Sequence, residues 1–431
     1  MNQGKKNGTV KMTALLLCIA LLAGCGRTAG AGARSLTPAP DFSESTGGLT
    51  EKEQEQVTDF SLRFMREAVA QAHKKGEENP VLSPVSVYAA LLLVACGCEG
   101  VSAAEMEQLL GLASGQWGQA GGNLMQSLNQ TGDLLTLAAA NSVWMDEEAQ
   151  IREEYIRRIS EEMNAEIFQG DLSTEETRRA VNQWVKERTN GMIPKFHDEP
   201  YDNDVVVALI NAVCLEAEWQ QPFEAQKTVE KPFYTAENGE VSAQYLCDYG
   251  AYRDYVKGDG MEGILLPYVG GSLAFVALRA TDGRTPEELL ADLTLEDCRR
   301  LPQMASETFL NFSMPKFTLS YEQNLNETFE GLGLIKTLTP GEADLSAMGT
   351  GRAGEPLYVS SAQQKVKIQV DEEGTKAAAV TEILVGEGGM LWQEEPLELH
   401  FDSPYLYLLM DQETGVPLFM GMMENPEKTE K

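Results

Sequence analysis

The sequence predicts one continuous α+β domain, with helices early in the chain and large antiparallel sheets late. Three observations point there. Apolar residues in the first half recur at 3.6-residue spacing, as in "EQEQVTDFSLRFMREAVAQAHKK". Later runs alternate or are continuously apolar and β-branched, as in "KVKIQV" and "VVVALINAVCLE". From about Thr50 onward no linker, repeat or low-complexity block divides the chain, and 431 residues with 43% hydrophobic content can bury a large core.

The first 24 residues read as an address. Lys5, Lys6 and Lys11 form a basic front end, and Met12 to Ala23 is an apolar run too short to span a bilayer. It ends in Leu22-Ala23-Gly24-Cys25, which resembles the lipobox of bacterial lipoproteins. That resemblance implies cleavage before Cys25 and lipid on its sulfur; a plain secretory signal is the alternative. Residues 25–52 are small, polar and turn-rich, as a flexible tether would be. The folded part is therefore expected outside the cell, on a membrane lipoprotein or secreted.

Helices are expected over the 53–75 stretch, with Val57, Phe60, Phe64, Ala68 and Val69 on one face, until Asn79-Pro80 breaks the pattern. "VYAALLLVACG" beside Ser86 is too uniformly apolar for a surface helix. A further helix begins near Ser102 and stops at Gly111, and "REEYIRRISEEMNAE" and "TEETRRAVNQWVKERTNG" are amphipathic. Strands follow: "LLTLAAANSVWM", "VVVALINAVCLE", the pair within "EGILLPYVGGSLAFVALRA", the alternating "TFLNFSMPKFTLSYE", and a hairpin around Gln412-Glu413-Thr414-Gly415.

Composition removes several functions. A formal charge of −32 argues against nucleic acid or an anionic membrane surface as partner. The three histidines, His73, His197 and His400, are scattered, so no metal or other cofactor is expected. No phosphate-binding glycine loop or CxxC pair occurs. Cys96, Cys98, Cys214, Cys247 and Cys298 sit in or near apolar runs and read as core thiols rather than disulfides. An enzyme using Ser83, Ser86 and His197 is a poor third choice, because both serines flank a buried-looking helix.

Several stretches, in order, resemble the serpin family. "NPVLSPVSVYAALLLVACG" supplies Ser83, Pro84 and Ser86; "VNQWVKERTNGMI" supplies Asn182, Trp184, Thr189 and Gly191. "LINAVCLEAEWQQPF" supplies Asn211, Ala212, Trp219 and Phe223. "MPKF", "LGL", "ADLS", "LHFDSPYLYLL" and "PLFMGMMENP" complete the set, with Tyr405 where phenylalanine is usual. The resemblance implies a serpin fold over 53–427, with about nine helices, three β-sheets and an exposed reactive-centre loop within 371–396. It implies a monomeric inhibitor, not an enzyme, that forms a covalent complex with a serine protease of elastase, chymotrypsin or subtilisin type, cysteine proteases being a further class. The family's usual histidine before Lys365 is here Gln364, in the sheet-opening region with Ser83, Ser86 and Asn211; its usual lysine-glycine before Trp219 is Glu216-Ala217.

"DEEGTKAAAVT" (371–381) falls where the family has its hinge: Glu372, Glu373, Gly374, Thr375, Ala377, Ala378, Ala379 and Thr381. The family's loop, once cut to an acyl-enzyme, enters the central sheet as a strand, a known instance of strand addition. As a strand from Thr375, one face carries Thr375, Ala377, Ala379, Thr381, Ile383 and Val385, all uncharged, while Lys376 and Glu382 fall on the other. A charge on the buried face would cost several kcal/mol. About a dozen new backbone bonds at roughly 1 kcal/mol each would supply ~10 kcal/mol, comparable with a whole domain's ~5–15 kcal/mol. Taken alone the stretch also suits a surface helix. The scissile bond is open among Glu387, Gly388, Gly389, Met390 and Leu391: the family's usual spacing, counted forward from Gly374, implies Gly388-Gly389, and counted back from Pro404 it implies a bond near Gln393. The competing function is a binding or carrier protein on the same fold with a static loop.

Overall fold

The computed structural model describes residues 32–39, 48–131, 135–203, 205–236, 239–375 and 395–428. The first long helix, Glu51–Lys74, opens with a reciprocal cap: Thr50 N–H donates to Glu53 Oε2 (2.8 Å), and Glu53 N–H donates to Thr50 Oγ1 (3.3 Å). Its predicted apolar face is buried. Helix Pro84–Ala95 follows with proline in its first turn and nearly every residue buried, so it runs through the core rather than over it. Helices Gly100–Leu110 and Glu153–Met163 end on left-handed Gly111 and Asn164.

Helix Trp117–Ser127 has no counterpart in the sequence reading. Gly118, Gly121 and Gly122 give it weak helical propensity, yet they are what lets it dock. A Cβ on Gly121 would run into the Met163 side chain, and one on Gly122 into the Glu162 carbonyl. Gly122→Ala should therefore destabilise the fold by about 1–3 kcal/mol despite its better propensity, read as a lower urea midpoint at unchanged slope.

Among the described residues there are nine α-helices and three sheets. The central sheet runs, edge to edge, through Arg34–Ser35, Glu166–Gln169, Leu135–Met145, Val207–Glu218, Ala362–Val370 and Phe317–Asn324. The second runs through Leu397–His400, Ala305–Pro315, the 19-residue strand Glu240–Gly258, Met261–Pro267, Leu273–Ala280, Tyr405–Asp411, Pro417–Met423 and Val81–Leu82, with Val229–Tyr234 beside Glu240–Gly258. Gln150–Ile151 and Gly349–Thr350 make a two-stranded third sheet.

"TFLNFSMPKFTLSYE" reads as one alternating run but serves two sheets. Ala305–Pro315 pairs with Glu240–Gly258, whereas Phe317–Asn324 pairs with Ala362–Val370. Pro315 has no N–H to continue a ladder, and the chain changes sheet there. The tether stretch also differs from its expectation in part. Within it, Arg34–Ser35 pairs with Phe168 and Gln169, Leu36 N–H donates to Ile167 O (2.8 Å), and Thr177 Oγ1 donates to Gly32 O (2.8 Å). The exposed backbone of an edge strand holds a segment whose side chains carry no strand pattern.

Candidate functional site: the hinge and the seam of the central sheet

The Val207–Glu218 and Ala362–Val370 strands lie parallel at the middle of the central sheet. Their ladder covers Leu209–Ala212 against Ala362–Lys365 and stops there. Beyond Val370 the chain turns through Asp371–Glu373 and comes back antiparallel, Gly374 opposite Glu218 and Thr375 opposite Ala217. Asp371 shapes the turn: its Oδ1 accepts from Glu373 N–H (2.9 Å) and Gly374 N–H (3.2 Å), and its own N–H donates to Gly374 O (3.0 Å). Gly374 is required for close approach as much as for freedom, because a Cβ there would meet the Ala217 carbonyl.

Backbone and side-chain groups far apart in sequence fix this return. Trp219 N–H donates to Glu373 O and Phe223 N–H to Glu372 O, both at 2.8 Å, and Trp219 Nε1 donates to Asp371 O at 2.8 Å. Trp219 stacks on Tyr268 with ring centroids 4.6 Å apart. The Tyr268 hydroxyl lies 2.6 Å from Thr375 Oγ1, and Thr375 is only 1% exposed. Burial drives the Tyr268 phenol far above its ordinary value, so it stays a neutral hydroxyl.

Glu372 accepts from Thr228 Oγ1 (2.6 Å) and from Lys316 Nζ (2.9 Å). Burial pushes its carboxyl upward, but those two donors outweigh it and hold the group below its ordinary 4.5. A folded value below the unfolded one means stability that is complete above pH 4.5 and is lost as pH falls through the lowered value. Wild type should therefore lose more of its urea midpoint than Glu372→Gln between pH 7 and about pH 3.

The lower end of the seam is a buried amide cluster. Gln364, opposite Asn211 in the ladder, is 0% exposed. Its Oε1 accepts from Ser83 N–H (2.8 Å), and its Nε2 donates to Ser83 O (3.1 Å) and Asn211 Oδ1 (3.0 Å). Asn211 Nδ2 donates to Ser86 O (3.1 Å) and Asn141 Oδ1 (2.6 Å), while Ser83 Oγ donates to Leu418 O (2.7 Å). The cluster thus ties the first turn of helix Pro84–Ala95 to three strands of one sheet and one of the other. No member of it titrates.

Of the sequence-derived candidates, Ser83, Ser86, Asn211 and Gln364 come together, Ser86 through its carbonyl, and Glu372, Glu373, Gly374 and Thr375 form the hinge return. Ala377, Ala378, Ala379, Thr381, Glu387, Gly388, Gly389, Met390, Leu391 and Cys25 lie outside the described residues. Sequence reasoning gave no role to Tyr268, Thr228, Lys316, Asp371 or Asn141; Tyr268 reaches Thr375 across 107 residues, with no local pattern to mark it. His197 bonds the Tyr201 hydroxyl (2.7 Å), and among the described residues no hydrogen bond joins it to Ser83 or Ser86. The five described cysteines are buried and form no disulfide among the described residues; burial pushes Cys96 up to about 11 and Cys298 up to about 12.

Fold and site define a protein whose two middle strands of the central sheet part after a short ladder, with the returning segment Gly374–Thr375 paired to one of them. The chain belongs to the serpin family: the model for serpin (serine protease inhibitor) matches residues 55–426. Alpha-1-antiproteinase 2 of Equus caballus is 27% identical over 382 residues, 86% of each chain. Serpin B4 of Homo sapiens is 25% identical over 393 residues, 86% of this chain and 99% of its own. The thermophilic serpin tengpin in its native state superposes with a TM-score of 0.81 at 27% identity, covering 91% of this chain and 100% of that one; its latent state gives 0.72 at 26% identity, over 88% and 99%. Human thyroxine-binding globulin, with a TM-score of 0.76 over 88% of this chain and 99% of its own, shares the fold at 20% identity.

Proposed function

We propose that the chain is a monomeric suicide inhibitor of serine proteases, exported and anchored through lipid on Cys25. The target cuts the bait loop and is held as an acyl-enzyme. The freed segment from Thr375 onward then continues into the seam as a new strand of the central sheet, with its uncharged face buried. One observation carries this reading: Gly374 and Thr375 already pair with Ala217 and Glu218, with Thr375 buried, where the ladder between the two middle strands has ended. The next residues repeat the small, uncharged character of Thr375 at every second position. The antiproteinase relatives support inhibition as the general activity.

The test uses elastase-, chymotrypsin-, subtilisin- and glutamate-specific proteases. An SDS-resistant band at the summed mass is expected with at least one, and the mass of the released C-terminal peptide then fixes the bond among Glu387 to Leu391. Clean cleavage by all four, with no covalent product and no rise in melting temperature, would replace the inhibitor by a static-loop binding protein.

A further inference from the structure

Four of the six most exposed large apolar side chains among the described residues, Val229, Tyr234, Tyr249 and Tyr252, sit on two adjoining strands of the second sheet. Two of them share a face because of a bulge. Phe309 lies opposite Tyr252 and Asn311 opposite Tyr249, and the register slips between Leu310 and Asn311 at Gly250. Gly250 takes a left-handed φ of 64°, and its N–H donates to Asn311 Oδ1 (3.0 Å). Phe309 and Asn311 point to one face of their strand, so the bulge turns Tyr249 to the same side as Tyr252. Tyr249 is 47% exposed and Tyr252 53%, and the Tyr252 and Phe309 rings lie 5.2 Å apart.

Carboxylates bracket this aromatic row. Glu307 and Asp254 pair across the strands beside Phe309 and Tyr252. At the other end Glu398 accepts from Asn311 Nδ2 (2.7 Å). Lys231, 5.4 Å from the Tyr249 ring, is the cation stacked on the row. Burial, then repulsion from Glu307, raises Asp254, so the acidic pair is held at a cost that a basic partner would relieve. Glu398 belongs to strand Leu397–His400, the first described element after Thr375, so the patch adjoins the point where the chain returns to the fold beyond the bait region.

We propose that this face is a second docking surface for the target protease, fitted to a protease with an apolar, basic rim beside its cleft. It rests on the inhibitor reading, since the loop is what brings the protease here. Exposed aromatic patches of this kind mark interaction sites, tyrosine is a frequent anchor in them, and flanking charge acts mainly on the association rate.

The test compares association rates for covalent complex formation with a basic elastase-like and an acidic subtilisin-like protease. Tyr249→Ser with Tyr252→Ser should slow the basic enzyme by roughly ten-fold, leaving stoichiometry and the melting rise after cleavage unchanged. Glu307→Lys with Glu398→Lys should flatten the salt dependence of that rate. Unaltered melting of the intact variants shows that they fold. Rates within about two-fold of wild type for both variants and both enzymes would overturn the docking surface while leaving the inhibitor intact. Absence of any covalent complex with wild type would overturn both.

Discussion

Thr375→Arg is expected to abolish covalent trapping and turn the protein into a substrate. At this position the side chain is buried, shares a hydrogen with Tyr268 and lies against Ala217 in the ladder. Burying an unpaired guanidinium there would cost several kcal/mol, and the Trp219–Tyr268 stack supplies no counter-charge. The cheaper outcome is that the hinge leaves the sheet and cannot re-enter after cleavage. On denaturing gels the summed-mass band should vanish while the nicked chain accumulates at an undiminished rate. The melting rise on nicking should go with it. Thr375→Ser keeps the hydroxyl and the small volume and should trap normally.

Gln364→Ala should cause the largest loss of stability. Three bonds disappear; Ser83 N–H and Asn211 Oδ1 are left without a partner at a site without exposure, while Ser83 O still accepts from Val87 N–H (3.1 Å). At about 1–3 kcal/mol for each of the two orphaned groups the loss is roughly 2–6 kcal/mol, much of an ordinary domain's ~5–15 kcal/mol. Denaturant unfolding would show it as a lowered midpoint. Gln364→His is the informative contrast. A neutral imidazole has one acceptor and one donor, enough for Ser83 N–H and one of the two lost acceptors. Protonation removes the acceptor, so the buried ring would titrate below its ordinary ~6.5. Its contribution would be complete above about 6.5 and lost as pH falls through the lowered value, a dependence the wild-type cluster lacks.

Periodicity made the early helices and most of the strands legible, because one buried face leaves a mark every second or every third and fourth residue. It failed where another constraint ruled. Helix Trp117–Ser127 is hidden by the glycines that allow it to dock on helix Glu153–Met163. The 308–322 alternation conceals a change of sheet at Pro315. Strand Glu240–Gly258 alternates only in part, since its two halves bury different faces around the Gly250 bulge. At the site, the family resemblance pointed to Glu372, Glu373, Gly374 and Thr375 and to Ser83, Ser86, Asn211 and Gln364, two groups that the fold places along the same seam. What could not be read was the partner set, since Tyr268, Thr228 and Lys316 meet the hinge only through tertiary pairing.

Docking of residues 32–37 on the sheet edge would shorten the leash of the proposed lipid anchor. Were Cys25 that anchor, only residues 26–31 would separate lipid from Gly32, whose carbonyl is held by Thr177. Fully stretched, that span reaches about 25 Å at 3.6 Å per residue. The domain would then stand within one protein diameter of the bilayer, attached along a single flank and restricted in its tumbling. A protease free in solution could reach the bait only from the open hemisphere, whereas one embedded in the same membrane would meet it at a nearly fixed height.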